Sequence, residues 1–449
     1  MRAHCGDTPN MPSPSATLAV ENAPSIPHAA PAAMTHANAT RNYPLLLGSL
    51  SLSALADNAL LSVLIGPLTF LRAQGQITEQ QVNSTNAIYS ALFFIPFLVL
   101  APVAGYLNDR HPKTRWLLGG NLIRLAGVLL ALAGVALGHN WHGAGYLLAG
   151  VGACCFSPAK YGILPEIMPA ARLVKANGTV EMLTLVSILA GLGAGAKLID
   201  QFSVTACLGI VAGVYGLSAL LSLAMTRTPD NPNACLRRSL AEFGGNLRGL
   251  LHAPRLGRVL LGTGLFWFLG ATVRNNLQAW GIEFLHVDGG AAVTNTQLVL
   301  LKIWLAVGVI IGSVLVGQVH RTGDVRGARW YAFAIAAFVM PMGLLHHGQT
   351  VAAAASLVLA GLAAGFYLIP LNATIQDETD HAQLGKTIAI QNFVDYSAML
   401  VGAGFVLALA KLNCSSAQIF LALGVAIALV ACILKIPAKA GITDAKRVT

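Results

Sequence analysis

From residue 44 to residue 436 the chain is a succession of apolar runs separated by short polar breaks. Each run holds about 20 residues, the length a helix needs to cross a ~30 Å hydrocarbon core. Inside lipid every backbone N–H and C=O must find a partner, and a helix satisfies its own. The pattern predicts about twelve spans, near 44–72, 85–107, 116–138, 143–166, 177–199, 203–225, 258–284, 293–319, 329–347, 350–373, 384–410 and 415–436. Composition argues against a soluble alternative: 55% of the 449 residues are hydrophobic and only 10% are charged, against about 25% charged in soluble domains. A soluble all-α protein with this sequence has more apolar surface than one domain can bury.

The formal net charge of +10 raises the question of a nucleic-acid partner, and its distribution answers it. Arg110, Lys113 and Arg115 follow span 2, and Arg172 and Lys175 follow span 4. Arg227, Arg237, Arg238, Arg248, Arg255 and Arg258 fill the connection after span 6, Arg321, Arg326 and Arg329 follow span 8, and Lys435, Lys439, Lys446 and Arg447 close the chain. The opposite loops carry little beyond Arg72 and Lys411. Such one-sided basic loops mark the cytoplasmic face, so both termini are expected there and no nucleic-acid partner is implied. The seven cysteines show no framework or CxxC spacing and the twelve histidines no HExxH, so neither a metal nor a cofactor is expected.

Residues 1–42 are rich in Pro, Ala, Ser and Asn, with no basic segment leading into an apolar run. They read as a disordered cytoplasmic tail rather than a cleavable signal. The rest divides into a six-helix half at 43–225, a cytoplasmic linker at 226–257, a second six-helix half at 258–436 and a cytoplasmic tail at 437–449. The expected fold class is all-α integral membrane, about twelve transmembrane helices in two pseudo-symmetric halves. A local echo supports the repeat: Gly105-Tyr-Leu-Asn-Asp109-Arg110 after span 2 corresponds to Gly317-Gln-Val-His-Arg321 with Asp324 and Arg326 after span 8. Pairs of small residues four apart, Gly191–Gly195, Gly308–Gly312 and Gly361–Gly365, predict close helix packing. No GxSxG, P-loop or His-x4-Asp pattern is present, so enzymatic chemistry and intrinsic ATP-driven pumping are not expected.

Eight ionisable residues fall inside or at the edges of the runs: Asp57, Arg124, Lys160, Glu181, Arg274, Glu283, Lys302 and Asp395. A charge at the centre of a bilayer costs about 2.5–3.5 kcal/mol on insertion scales. Glu283 reads as interfacial, Lys302 as either a snorkelling or a functional lysine, and Arg124 as half of a structural or gating pair. Asp57 and Arg274 lie midway along the first span of each half, beside Asn58 and beside Asn275, Asn276 and Gln278. They are expected to face a central cavity, bonded either to a ligand or to each other. Span 4 ends in the proline-broken Ser157-Pro158-Ala159-Lys160 to Glu166, with Glu181 a candidate partner for Lys160, and span 11 supplies Gln391, Asn392 and Asp395.

The loop Gly105, Asp109, Arg110, Lys113, Arg115 resembles the signature loop of the major facilitator superfamily, with His111-Pro112 in place of its usual small residues. Gly105 is expected to admit a close helix approach there, and the charges to latch one conformation. Further segments narrow the resemblance: Asp57-Asn58-Ala59-Leu60-Leu61, Ser157-Pro158-Ala159-Lys160-Tyr161-Gly162, Lys175-Ala176-Asn177-Gly178 with Glu181, Leu265-Phe266-Trp267 with Arg274, Ile369-Pro370-Leu371-Asn372 and Ala389-Ile390-Gln391-Asn392. Together, over about 44–436, they resemble the bacterial lysophospholipid transporters of that superfamily. The resemblance implies lysophosphatidylethanolamine or lysophosphatidylglycerol as cargo, drawn from membrane lipid and moved across the inner membrane for re-acylation. It also implies coupling to an acyltransferase–acyl carrier protein synthetase, expected here to be a separate protein. On this reading Asp57, Asn58, Lys160, Arg274 and Asn392 bind the substrate, while Gly105, Asp109, Arg110, Glu181 and Asp395 gate it. The rival expectation is a facilitator for a soluble amphipathic drug or metabolite.

Overall fold

The computed structural model describes residues 36–168, 173–229, 234–286, 292–319, 325, 327–379 and 384–437. Among them every regular element is helical. The first half contains α1 (His36–Ile65), α2 (Pro67–Ala73), α3 (Glu79–Val99), α4 (Ala101–Arg110), α5 (Lys113–Ala136), α6 (His142–Gly162), α7 (Leu164–Ile167), α8 (Leu173–Gln201) and α9 (Val204–Leu223). After α10 (Leu236–His252) come α11 (Leu256–Leu285), α12 (Asn295–Val319), α13 (Ala328–Val339), a 3-10 turn (Met340–Gly343), α14 (Thr350–Glu378), α15 (Leu384–Lys411) and α16 (Ser416–Ile433).

Ten of the described helices are long and apolar enough to cross a membrane. The spans near 143–166 and 329–347 complete the twelve, and each departs from a simple apolar rod for a visible reason. In α6 the run is diluted by glycines and by Ser157-Pro158-Ala159-Lys160. In α13 the α-helix gives way at Met340–Gly343 to a 3-10 turn holding Pro341, which lacks the N–H a continuing helix would use. Prolines also divide two spans expected to be continuous: Pro67 opens α2 after Gly66, and Pro102 sits in the first turn of α4 after Leu100.

Each half has its own apolar core. In the first half, α1, α5, α6, α8 and α9 bury Leu60, Val63, Val128, Ala149, Leu208 and Tyr215 in one cluster, and Leu46, Leu117, Ile163 and Val180 in another. The second half packs α11, α13, α14 and α16 around Leu260, Ala332, Tyr367, Leu371 and Phe420. Only small clusters bridge the halves, such as Leu192 and Ala196 of α8 with Val299 of α12. Two large cores, each confined to its own half, are the makings of two bodies that rock against each other.

Within each half, glycine sets the closest helix pairs. A Cβ at Gly365 of α14 would stand 2.7 Å from Val309 O and Ser313 N of α12, and one at Gly195 would stand 2.6 Å from Ala59 O of α1. The expected glycine pairs do admit close packing. Gly105 does not: a Cβ there meets nothing within 4 Å, so in this conformation no neighbouring helix requires it to be small. Residues 320–324 and 326, and the side chains of 317–319, lie outside the described residues, as does the echo read there.

The segment expected to be a basic loop holds α10. Its Leu236, Leu240, Phe243, Leu247 and Leu250 recur at helical spacing, which the run of arginines obscures in the sequence. Phe243 meets Phe393 of α15 edge-on, with ring centroids 5.5 Å apart. This helix marks one end of the bundle, called here the linker end; the opposite end is the far end.

Candidate functional site

Asp57 lies midway along α1, and its partner is Arg124 of α5. Arg124 Nη2 donates to Asp57 Oδ2 at 3.0 Å, and the two side chains are 5% and 13% exposed. Tyr215 of α9 donates its hydroxyl to the other carboxylate oxygen at 2.6 Å. The guanidinium also donates to Asn121 Oδ1 at 3.1 Å and lies 4.8 Å over the Phe156 ring. Asn121 in turn joins Ser49, Ser53, Ser218 and Ser222 in a fully buried polar cluster between α1, α5 and α9. Asn58 turns back to Ala54 O of its own helix, at 2.9 Å. Asp57 is thus neutralised inside its own half.

Arg274 sits differently. Nη2 donates to Ser90 Oγ of α3 at 3.0 Å, and the guanidinium lies 5.4 Å from the centre of the Phe94 ring. Ser90 also donates to Asn275 Oδ1, and Asn86 Nδ2 donates to Asn275 O at 3.1 Å. Among the described residues Arg274 makes no ion pair, and its buried Nε has no acceptor. Asp57 and Arg274 therefore do not bridge the halves; Arg274 meets the first half through neutral hydroxyl and amide groups. Asn83, Asn86 and Ser90 recur at i, i+3 and i+7 on one face of α3, a polar stripe legible in the sequence once a partner helix is sought.

Above this site, at the far end, the halves are tied together. Asp200 at the end of α8 caps the N-terminus of α12, accepting from Asn295 N at 3.0 Å, Thr296 N at 2.8 Å and Thr296 Oγ1 at 2.7 Å. A carboxylate is well placed at a helix N-terminus, where free N–H groups and the helix dipole both favour it. Thr69 of α2 donates to Asn295 Oδ1 at 2.7 Å, Gln278 donates to Thr69 at 2.9 Å, and Arg72 pairs with Glu283 at 2.6 Å. The sequence reading missed this layer because Asp200, Thr69 and Asn295 sit at run ends, where polar residues are routine. Glu283, expected to be merely interfacial, is one of the tie points. About two turns from Ser90 toward the linker end, Phe97 of α3 stacks on Tyr396 of α15, ring centroids 3.9 Å apart. Arg274 lies between a hydrogen-bonded layer and an aromatic pair.

The remaining expected residues are spread along the bundle. Lys160 lies 4.4 Å over the Tyr161 ring. The side chain of Glu181 lies outside the described residues, although its backbone belongs to α8. Glu166, at the proline-broken end of span 4, pairs with Lys113 of the signature loop, so that loop charge closes within the first half. Asp109 is exposed at the end of α4 and Arg110 is partly buried. Asp395 is buried on α15, accepting from Thr263 Oγ1 at 2.8 Å, with Trp267 and Gln391 as further partners. Asn392, beside it, is half-buried. Among the described residues no group of three or more His, Cys, Asp or Glu side chains is placed to hold a metal.

Fold and site together define an α-helical membrane carrier: two six-helix bodies, each with its own core, enclosing mid-membrane charge at their interface. Comparison with known proteins agrees. The model of the Major Facilitator Superfamily matches residues 46–403. Curated relatives include the lysophospholipid transporter LplT of Enterobacter sp. (strain 638), 33% identical over 357 residues that cover 79% of this chain and 85% of the relative. The LplT of Photorhabdus laumondii is 31% identical over 380 residues, covering 81% and 87%. Among solved structures, a POT family transporter crystallised with a thioalcohol conjugated peptide superposes with a TM-score of 0.69 at 13% identity, covering 88% of this chain and 95% of the other. A D-xylose-proton symporter gives 0.65 at 17% identity, covering 89% and 98%. The chain belongs to the Major Facilitator Superfamily, in the branch formed by the lysophospholipid transporters LplT.

Proposed function

We propose that this protein carries lysophospholipids across the bacterial inner membrane toward the cytoplasmic leaflet. The observation that carries the reading is Arg274: a cation half-buried at mid-membrane, on the first helix of its half, with hydroxyl and amide groups around it and no carboxylate paired to it among the described residues. A phosphodiester offers such a guanidinium the anionic oxygens it lacks, and two parallel N–H···O bonds suit the pair. The acyl chain needs no polar site, since it can remain in lipid or along an apolar groove. The relatives named lysophospholipid transporters support this cargo over a soluble one.

In this proposal Asn58 and Asn392 supply neutral polar contacts to the headgroup, and Lys160 receives it nearer the linker end. Asp57 acts through Arg124, fixing the first-half wall of the cavity. Gly105, Asp109, Arg110, Glu181 and Asp395 belong to the elements that move as the halves rock. The basic loops support a cytoplasmic position for both termini and the linker; in this orientation the far end faces outward, and the proposed release is at the linker end. Residues 43–225 and 258–436 are the two moving units, with 226–257 as linker. Delivery to that leaflet suits re-acylation by a separate acyltransferase–acyl carrier protein synthetase.

Ligand-induced stabilisation of the purified protein tests the cargo. Lysophosphatidylglycerol and lysophosphatidylethanolamine are expected to raise the unfolding temperature in a saturable way, and Arg274→Gln to abolish the shift. Stabilisation by soluble amphipathic drugs or metabolites with none from lysolipids would overturn the reading.

A further inference from the structure

Lys302 of α12, about two turns into its span, is a charge among the described residues that the reading above leaves unused, and its placement is informative. On either side of it along the helix, Leu298, Leu301 and Leu305 turn toward α11. Leu298 and Leu301 are the atoms a Cβ at Gly281 would strike, and Leu305 lines one small apolar cavity together with Leu269 and Val273. Val299 and Ile303 turn instead toward Leu192 and Ala196 of α8, in the other half. Leu300 and Trp304 form the lipid face, 52% and 44% exposed. At 100° per residue, position 302 falls in the wedge between α11 and α8, opposite the lipid face. A snorkelling lysine would run along the outside of the helix to the interface; this one faces the seam between the halves.

The register brings it toward Arg274. Val273 and Leu305 line the same small apolar cavity, Arg274 follows Val273, and Lys302 precedes Leu305 by three residues, less than one turn. Both side chains belong to the seam: Arg274 reaches Ser90 of α3, and the neighbours of Lys302 pack on α8. Lys302 makes no ion pair or hydrogen bond to any described residue, and Arg274 has only Ser90 and the Phe94 ring. Two like charges drawn out of water toward one seam repel each other, and neither has a carboxylate among the described residues to offset its charge. Three other cations withdrawn from solvent each have a carboxylate: Arg124 has Asp57, Lys113 has Glu166, and Arg255 has Glu378. This pair stands apart from that habit.

We infer that Lys302 and Arg274 together clamp one phosphate group, the guanidinium by its planar fork and the ammonium as a point charge on a second oxygen. The proposal rests on the anionic-headgroup reading of Arg274 and adds a binding residue from a different helix. Because α12 packs on both α11 and α8 of the first half, a phosphate held by both side chains ties the occupied site to the seam that must rearrange. The clamp recognises the phosphate itself, so headgroups that differ only in the alcohol beyond it bind by the same two contacts.

The test measures binding of lysophosphatidylglycerol, of monoacylglycerol with the same tail and no phosphate, and of glycerol 3-phosphate with no tail. Each is compared in wild type, Lys302→Gln and Lys302→Arg. Losing one charge-assisted contact weakens lysophosphatidylglycerol about tenfold or more in Lys302→Gln. Lys302→Arg stays within about threefold of wild type, and any monoacylglycerol binding is unchanged. Without ligand, Lys302→Gln is expected to unfold at or above the wild-type temperature, because the repulsion on Arg274 is gone; a structural lysine would give the reverse. Unchanged lysophosphatidylglycerol affinity in Lys302→Gln, or an equal loss of monoacylglycerol, overturns the clamp. If wild type binds glycerol 3-phosphate through Lys302 but ignores the lysolipid, the clamp stands and the lipid cargo falls. If it binds neither phosphate compound, both fall.

Discussion

Removing either member of the Asp57–Arg124 pair leaves the other uncompensated inside the first half. The carboxylate takes a 3.0 Å bond from Arg124 and a 2.6 Å bond from Tyr215, and both charged side chains are nearly closed to solvent. Two unit charges about 4 Å apart attract by ~4 kcal/mol at an effective dielectric of ~20. Stranding one of a buried pair typically destabilises by about 3–5 kcal/mol, the orphan's desolvation included. Asp57→Asn and Arg124→Gln are each expected to lose stability on that scale, Arg124→Gln the more, because Asn121 and the Phe156 ring also hold the guanidinium. The double variant should lose clearly less than the sum, leaving a coupling of about 1–3 kcal/mol. Tyr215→Phe, which removes one bond to a charged acceptor, should lose about 1.5–3 kcal/mol. Equilibrium unfolding of the purified protein in detergent and denaturant, run as a double-variant cycle, measures all four. Additive losses in the cycle would refute the pairing and return Asp57 to the pool of ligand-binding candidates.

Two other outcomes follow from the packing and from the far-end layer. Gly365→Ala pushes a methyl to 2.7 Å from backbone atoms of α12 and is expected to destabilise by about 1–3 kcal/mol, whereas Gly105→Ala, with open space around it, should be neutral or gain up to about 1 kcal/mol of helix propensity; thermal unfolding compares them, and equal losses would restore the close-approach role for Gly105. Asp200→Ala removes the cap on α12, so spin labels at the exposed far-end positions Gln76 and Thr350 should report a population at longer separation, measured by pulsed electron resonance. An unchanged distance distribution would mean that Asp200 does not hold the far end shut.

The spans were legible because lipid imposes one rule on every backbone group, and apolar length alone then marks the helices. Where prolines interrupt a run, at Pro67, Pro102 and Pro341, the pattern showed the span but not the break, since hydropathy does not register a missing N–H. Asp57 and Arg274 stood out as charges in apolar runs, yet their symmetry misled: each is midway along the first helix of its half, but Arg124, 67 residues downstream, reaches Asp57 because α1 and α5 both pack against α9. That choice of partner is tertiary. Lys302 was visible as a charge and ambiguous by depth; only the seating of its neighbours on α11 and α8 decides its direction. The helix α10 was concealed by arginines that drew attention to charge and away from the spacing of Leu236, Leu240, Phe243, Leu247 and Leu250.

The central claim is that a lysophospholipid headgroup crosses the membrane at Arg274. Purified protein reconstituted into liposomes with lysophosphatidylglycerol carrying a fluorescent acyl chain measures this directly, through the fraction of probe protected from a reductant added outside. Wild type is expected to move the probe between leaflets far faster than protein-free vesicles do, Arg274→Gln to fall close to the protein-free rate while remaining folded, and the charge-retaining Arg274→Lys to keep part of the activity. Flipping by Arg274→Gln at the wild-type rate, or none by wild type itself, would contradict it.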